Sequence, residues 1–128
     1  MFHNKHFELS EARMLLKDIK HKLSRIVELK NKLDEAGFDI NKHQFFGGFG
    51  PNGTGKFPGD LEDLVTLVRE ITSEGILIKD LNSGLIDFPH IRSNHEEVYL
   101  CYLNGEDDIN YWHRIQDGFA GRRTMDEL

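Results

Sequence analysis

The apolar residues of this chain change period at Gly75, and that change limits the possible folds more than any composition figure. Upstream, Ala12, Leu16, Ile19, Leu23, Ile26, Lys30 and Leu33 fall at alternating spacings of four and three. This spacing makes the seam of a coiled coil, with Lys30 as its one polar position. Leu15, Val27 and Leu29 widen the stripe. Ser10 stands where an N-cap belongs, Phe7 and Leu9 are placed to staple the helix start, and Gly37 is a natural stop. The predicted helix covers 10–36 and is roughly 39 Å long. Leu61, Leu64, Val68 and Ile71 repeat the seam over 60–74, between an Asp60 cap and Gly75, for roughly 22 Å. Two such helices predict a long antiparallel, coiled-coil-like hairpin. The first overhangs the second, so part of its stripe needs a cover from the 38–59 segment or from a partner subunit.

Beyond Gly75 the pattern alternates. Residues 76–79, 85–88, 98–103 and 109–113 read as four short strands of a small antiparallel sheet. Asn104-Gly105 is a type I′ hairpin signal. A two-residue turn there pairs Leu100 with Ile109, Val98 with Tyr111 and Glu96 with His113. Val98, Leu100, Tyr102, Ile109, Tyr111 and His113 then share one face. Phe2–Phe7 is a candidate edge strand. The predicted class is α+β: one domain over 1–128, with the helical hairpin at 10–36 and 60–74, a Gly/Phe-rich connecting loop at 38–59, and a sheet with a closing loop at 76–122. The sheet is expected at the end of the hairpin where the first helix starts and the second stops.

At 128 residues with 30% charged and 38% hydrophobic residues, the chain can bury a real core and is not of disordered composition. No apolar run approaches the ~20 residues that span a bilayer. The first residues show no apolar signal region. Cys101 is the one cysteine, which excludes an intramolecular disulfide and points to a reducing cytoplasm. A net charge of −6 argues against nucleic acid as a partner. The first helical segment carries seven Lys/Arg against five Asp/Glu, net +2, and the second one Arg against five Asp/Glu, net −4. Segments of opposite sign are expected side by side, within the chain or across a homodimer.

Gly50-Pro-Asn-Gly-Thr-Gly-Lys56 matches the first part of a phosphate-binding loop. Phe57 stands where Ser or Thr would hold magnesium, and Pro58-Gly59 blocks the helix that should follow, so a Gly-rich turn is the better reading. His3 and His6 lie in extended chain, His21 lies off the seam, His43 sits in the connecting loop, and His90 and His95 flank a turn. None has zinc-motif spacing. His113 differs: it ends a strand, follows Trp112, and has Asp87, Glu96 and Glu106 as candidate carboxylate partners. Its bland reading is a structural histidine paired with a carboxylate or carbonyl. Cys101, mid-strand, reads as core filler. Arg122, in Gly118-Phe-Ala-Gly-Arg122, is expected to pair with Asp87 or Glu106 or to clamp an anion.

The run GLIDFP … VYLCYLNGE … YWH … GFAGR resembles a family of small prokaryotic proteins known as a domain of unknown function, number twenty-two-oh-three. Asp87-Phe88-Pro89, Gly105-Glu106, Trp112-His113 and Gly118-Phe119-Ala120-Gly121-Arg122 carry the resemblance, and Phe7–Ala12 is similar to the family's lead into a long Leu-rich helix. Tyr102 replaces a frequent Trp, and the interhelical segment is longer. The resemblance implies an α+β fold and brings no activity.

Three readings of function follow. The seam and the complementary helix charges predict a non-enzymatic, self-associating interaction module, a homodimer or a partner for another protein. The polar cluster predicts a site on the sheet for a divalent metal or small ligand, built from His113, Asp87 and Glu106, with Arg122 and Trp112 beside it. The Gly-rich loop predicts nucleotide binding, the weakest of the three.

Overall fold

Twenty-seven residues, Leu9–Glu35, form α1 in the computed structural model, which describes residues 1–38 and 59–128. The helix begins earlier than the Ser10 cap predicts. Glu8 is the N-cap, in extended conformation, and its backbone N–H donates to Glu11 Oε1 at 3.3 Å in a capping box. Ser10 therefore lies inside the first turn. The chain leaves α1 through Gly37, at φ +78°.

The buried row of α1 is Ala12, Leu16, Ile19, Leu23, Ile26, Leu29 and Leu33. Leu29, not Lys30, continues it after Ile26. Lys30 stands at the border of the row, with its ammonium 2.6 Å from Asp34 Oδ1 and 3.2 Å from Asn82 Oδ1. A lysine can cover apolar surface with its stem while its charge finds oxygen partners outside.

Helix α2, Gly59–Thr72, buries Leu61, Leu64, Val65 and Ile71. Lys22 lies 3.3 Å from Glu70, and Lys32 3.8 Å from Asp60. Two pairs of opposite charges on the helices thus meet within the chain. Gly75 follows at φ +97°.

Five strands form one antiparallel meander in sequence order: β1 Leu77–Asp80, β2 Leu85–Ile91, β3 Glu97–Leu103, β4 Tyr111–Arg114 and β5 Arg123–Thr124. Ile86, Phe88, Val98, Leu100, Tyr102 and Trp112 join the apolar rows of both helices in a single core. The fold is α+β. Fully burying one such side chain stabilises by roughly 1.5–3 kcal/mol, so this shared core dominates the stability.

The sheet lies along α1, not at its end. Arg13 donates to the Ile109 carbonyl at 2.9 Å, Lys20 to the Asp107 carbonyl at 2.6 Å, Ser24 meets Asn104 at 2.9 Å, and Asn82 donates to Asn31 at 3.1 Å. The overhanging stripe of α1 is therefore covered by the chain's own sheet. Gly84 makes this contact close: a Cβ there would stand 2.6 Å from Asn104 Cβ and 2.8 Å from Val27 Cγ2.

The β3–β4 register differs from the one expected. Leu100 faces Trp112 rather than Ile109, and Tyr99 faces His113. The shift is three positions, an odd number, so Tyr111 and His113 move to the face opposite Val98, Leu100 and Tyr102. Asn104-Gly105 does turn the chain, with the Glu106 N–H on the Leu103 carbonyl at 3.0 Å. Gly105 has φ +105° and Asn104 does not have positive φ, which is the pattern of a type II turn rather than type I′. The loop then runs on to Asn110, and Ile109 plugs the core at 0% exposure instead of pairing in β4.

Phe2–Phe7 is not a strand. It crosses the sheet and makes one backbone bond to it, from Phe7 N to Pro89 O at 2.7 Å. Gly50–Lys56 and the rest of 39–58 lie outside the described residues. Among the described residues, no helix is long and apolar enough to cross a membrane.

Candidate functional site

Register decides which side chains meet on the face of the sheet turned away from the helices. Asp87 on β2 is opposite Cys101 on β3, and Tyr99 on β3 is opposite His113 on β4. Asp87, Cys101 and His113 thus come from three consecutive strands onto one face. All three are closed to solvent, at 1%, 0% and 4% exposure. A carboxylate oxygen, the thiol sulfur and a ring nitrogen lie within 4.8 Å of one another.

His113 Nε2 is 3.1 Å from both Asp87 oxygens, and its Nδ1 is 2.8 Å from the Arg114 carbonyl oxygen. A carbonyl can only accept, so Nδ1 carries a proton, and the contact with Asp87 favours a second proton on Nε2. Burial works to lower the His113 pKa. The hydrogen bond and charge of Asp87, with the backbone of Arg114 and Asp117, outweigh it and leave the pKa raised above 6.5. Burial, then the charge of Asp87, pushes the Cys101 thiol up to about 12, with Arg122 pulling the other way. The surroundings thus favour the charged form of the His113 ring and the neutral form of the Cys101 thiol.

Tyr99 closes one side, its ring edge-on to His113 at 5.4 Å between centroids. Its hydroxyl lies 2.7 Å from His3 Nε2, and the Lys79 ammonium sits 5.0 Å above its ring. Glu97, two residues before Tyr99 on β3, gathers three donors: the backbone N–H of Phe2 at 2.7 Å, that of His3 at 3.1 Å, and His6 Nε2 at 2.7 Å. Burial works to raise the Glu97 pKa, and these donors lower it by more.

Of the residues singled out from sequence, Asp87 and His113 are in direct contact. Glu106 is not in the three-residue cluster. It holds Arg122 at 2.6 and 2.9 Å and accepts from Leu103 N at 2.7 Å. Arg122 lies between the rings of Tyr111, at 4.1 Å, and Phe119, at 4.7 Å, and reaches the Cys101 carbonyl at 3.5 Å. Trp112 is on the other face, in the core, donating to the Thr124 carbonyl at 3.0 Å, with Arg92 and Arg123 against its ring.

An uncharacterised conserved protein family, DUF2203, matches residues 5–125. The chain belongs to the DUF2203 family. No curated protein matches it. No solved structure matches it. In this DUF2203 chain, the matched span contains the whole Asp87–Cys101–His113 cluster, Glu97 and the Arg122–Glu106 pair, and excludes His3.

Sequence reasoning passed over Cys101, His3 and His6. Cys101 was separated from His113 by the assumed register. One signal was present: Trp112 and His113 are neighbours on a strand, so burying the indole against the helices sends the imidazole to the other face. His3 and His6 meet β3 across 96 and 91 positions, which no local period reveals.

Proposed function

We propose that this protein binds a divalent transition-metal ion of the zinc type through Asp87, Cys101 and His113. The observation that carries this reading is the convergence of three chemically different ligand atoms, within 4.8 Å, from three adjacent strands at near-zero exposure. Zinc takes nitrogen at ~2.0 Å and sulfur at ~2.3 Å, which puts tetrahedral ligands roughly 3.3–3.8 Å apart. With one sulfur in the set, the widest pair needs to close by up to about 1.3 Å to meet that geometry. A thiolate and an imidazole favour zinc-like ions over magnesium or calcium, which prefer oxygen.

Charge supports the same reading. Without metal, the surroundings favour a charged His113 ring and a neutral Cys101 thiol. A divalent ion would displace the Nε2 proton of His113 and the thiol proton of Cys101. Two positive charges enter, two leave, and the buried net charge does not change. The Arg114 carbonyl would keep the Nδ1 proton in place and orient the ring, as outer partners of zinc-bound histidines do. Three protein ligands leave a fourth position for water or a small ligand, the layout of catalytic rather than structural zinc. A reducing cytoplasm suits the free thiol that this reading requires.

The test is elemental analysis of untagged protein purified without chelator, beside His113→Ala and Cys101→Ser. One ion per chain, lost in both variants, is the expected result. Folded wild-type protein that neither retains an ion nor takes up added Zn²⁺ or Co²⁺ ends the metal reading.

For the helices, the Lys22–Glu70 and Lys32–Asp60 contacts support an antiparallel hairpin. Its covered apolar row removes the motive for a self-associating homodimer through α1. Met14 is the one strongly exposed large apolar side chain on that helix.

A further inference from the structure

We propose that the segment Phe2–His6 is a latch over the Asp87–Cys101–His113 cluster, hinged at Phe7 and held shut by Glu97. The proposal concerns the cluster read above as a metal site, but it stands on the geometry of the closure.

The two ends of the segment are fixed very differently. Phe7 is 2% exposed and packs edge-on against Phe88 at 5.4 Å. Its backbone is tied on both sides, N–H to the Pro89 carbonyl at 2.7 Å and carbonyl to His90 Nδ1 at 2.7 Å. This end is an anchor. Residues 2–6 bury little apolar surface: Met1 and Phe2 are 79% and 78% exposed. They are held by polar contacts, of Phe2, His3 and His6 on Glu97 and the Tyr99 hydroxyl, and of Lys5 on Glu11 at 3.0 Å. Glu97 is itself 7% exposed in its side chain, so it has been taken out of water to accept those donors.

The contacts also lead to the cluster. His3 lies 5.4 Å from the Tyr99 ring, and Tyr99 lies 5.4 Å from the His113 ring. Three rings in series connect the segment to the ligand atoms. While His3 and Lys79 hold Tyr99, its ring covers His113. Because the cluster is closed to solvent, an ion or reagent reaches it only if part of its cover moves, and Tyr99 is the part that the segment holds. Segments held by a few polar contacts open well before the whole fold does. On this reading, release of residues 2–6 about Phe7 frees Tyr99 and opens the cluster.

The experiment uses the full chain without metal and reads access through Cys101. Iodoacetamide alkylates the thiolate: sulfur bonds to the reagent's carbon, iodide leaves, and the thiol proton goes to buffer. The labelling rate is followed by intact mass. Glu97→Gln weakens the binding of all three donors. Tyr99→Phe removes the His3 bond and keeps the ring. Both are expected to label faster, Glu97→Gln by on the order of ten-fold or more, since a charged acceptor is lost. Leu64→Ala, in α2 and away from the latch, serves as a control that lowers global stability by a core cavity. Equal acceleration in Leu64→Ala at matched stability would show that access needs global unfolding and overturns the latch. Wild-type rates in both latch variants would overturn it as well. Neither result depends on a metal, so the latch and the metal reading fail separately. If Co²⁺ binds, Glu97→Gln is also expected to speed uptake and release alike, leaving affinity within about two-fold.

Discussion

His113 presents Nε2 to both carboxylate oxygens of Asp87 at 3.1 Å, inside a region closed to water. The contact favours the charged ring, and its energy therefore depends on pH. The folded pKa of His113 lies above the 6.5 of the free side chain. The pair's contribution is complete below pH 6.5 and is lost as pH rises through the folded value. Each unit of difference is worth about 1.4 kcal/mol. The urea midpoint of metal-free protein is expected to fall between pH 6 and pH 9, and Asp87→Asn to flatten the decline. A midpoint that rises over that range would contradict the charged pair.

Metal binding is expected to release protons in a fixed number. At pH 6 one Zn²⁺ should displace about two, from His113 Nε2 and Cys101 Sγ, and Cys101→Ser should release about one. Calorimetry in buffers of different ionisation enthalpy counts them. Release of none on tight binding would place the ion elsewhere.

Gly84 sits at φ +72° with no room for a Cβ between Asn104 and Val27. Gly84→Ala combines a backbone cost of ~1–2 kcal/mol with overpacking of ~1–3 kcal/mol. The expected loss is about 2–5 kcal/mol in denaturant titration, against the backbone cost of ~1–2 kcal/mol alone for Gly105→Ala, where φ is also positive but a Cβ has space.

Arg122 and Glu106 are both mostly covered, at 11% and 22% side-chain exposure, and bond in two places. Removing either partner leaves a partly buried charge alone. Glu106→Gln and Arg122→Met are each expected to cost about 2–4 kcal/mol, and the double variant less than their sum. Additive losses would mean that the pair is not coupled.

The helices were legible because α1 and α2 are written in local periods. The stops at Gly37 and Gly75 are positive-φ residues, as helix ends often are. The sheet's existence was legible for the same reason, since alternation is local. Its register was not. Asn104-Gly105 makes a turn, but the loop is set by Glu106 returning to the Leu103 backbone and by Ile109 reaching the core. That three-position difference put His113 on the wrong face and hid its meeting with Cys101. The role of Glu97 was not legible, because its donors lie more than ninety positions away.

The bonds between α1 and the sheet loops span between 51 and 96 positions. During synthesis α1 is made before the strands that cover it. Its apolar row must wait on the ribosome, helical or not, until β3 and β4 have emerged. The core therefore closes only after β4 has been made. A pause or truncation before Trp112 would leave α1 covered by α2 but not by the sheet, its remaining apolar row exposed to chaperones and to its own kind.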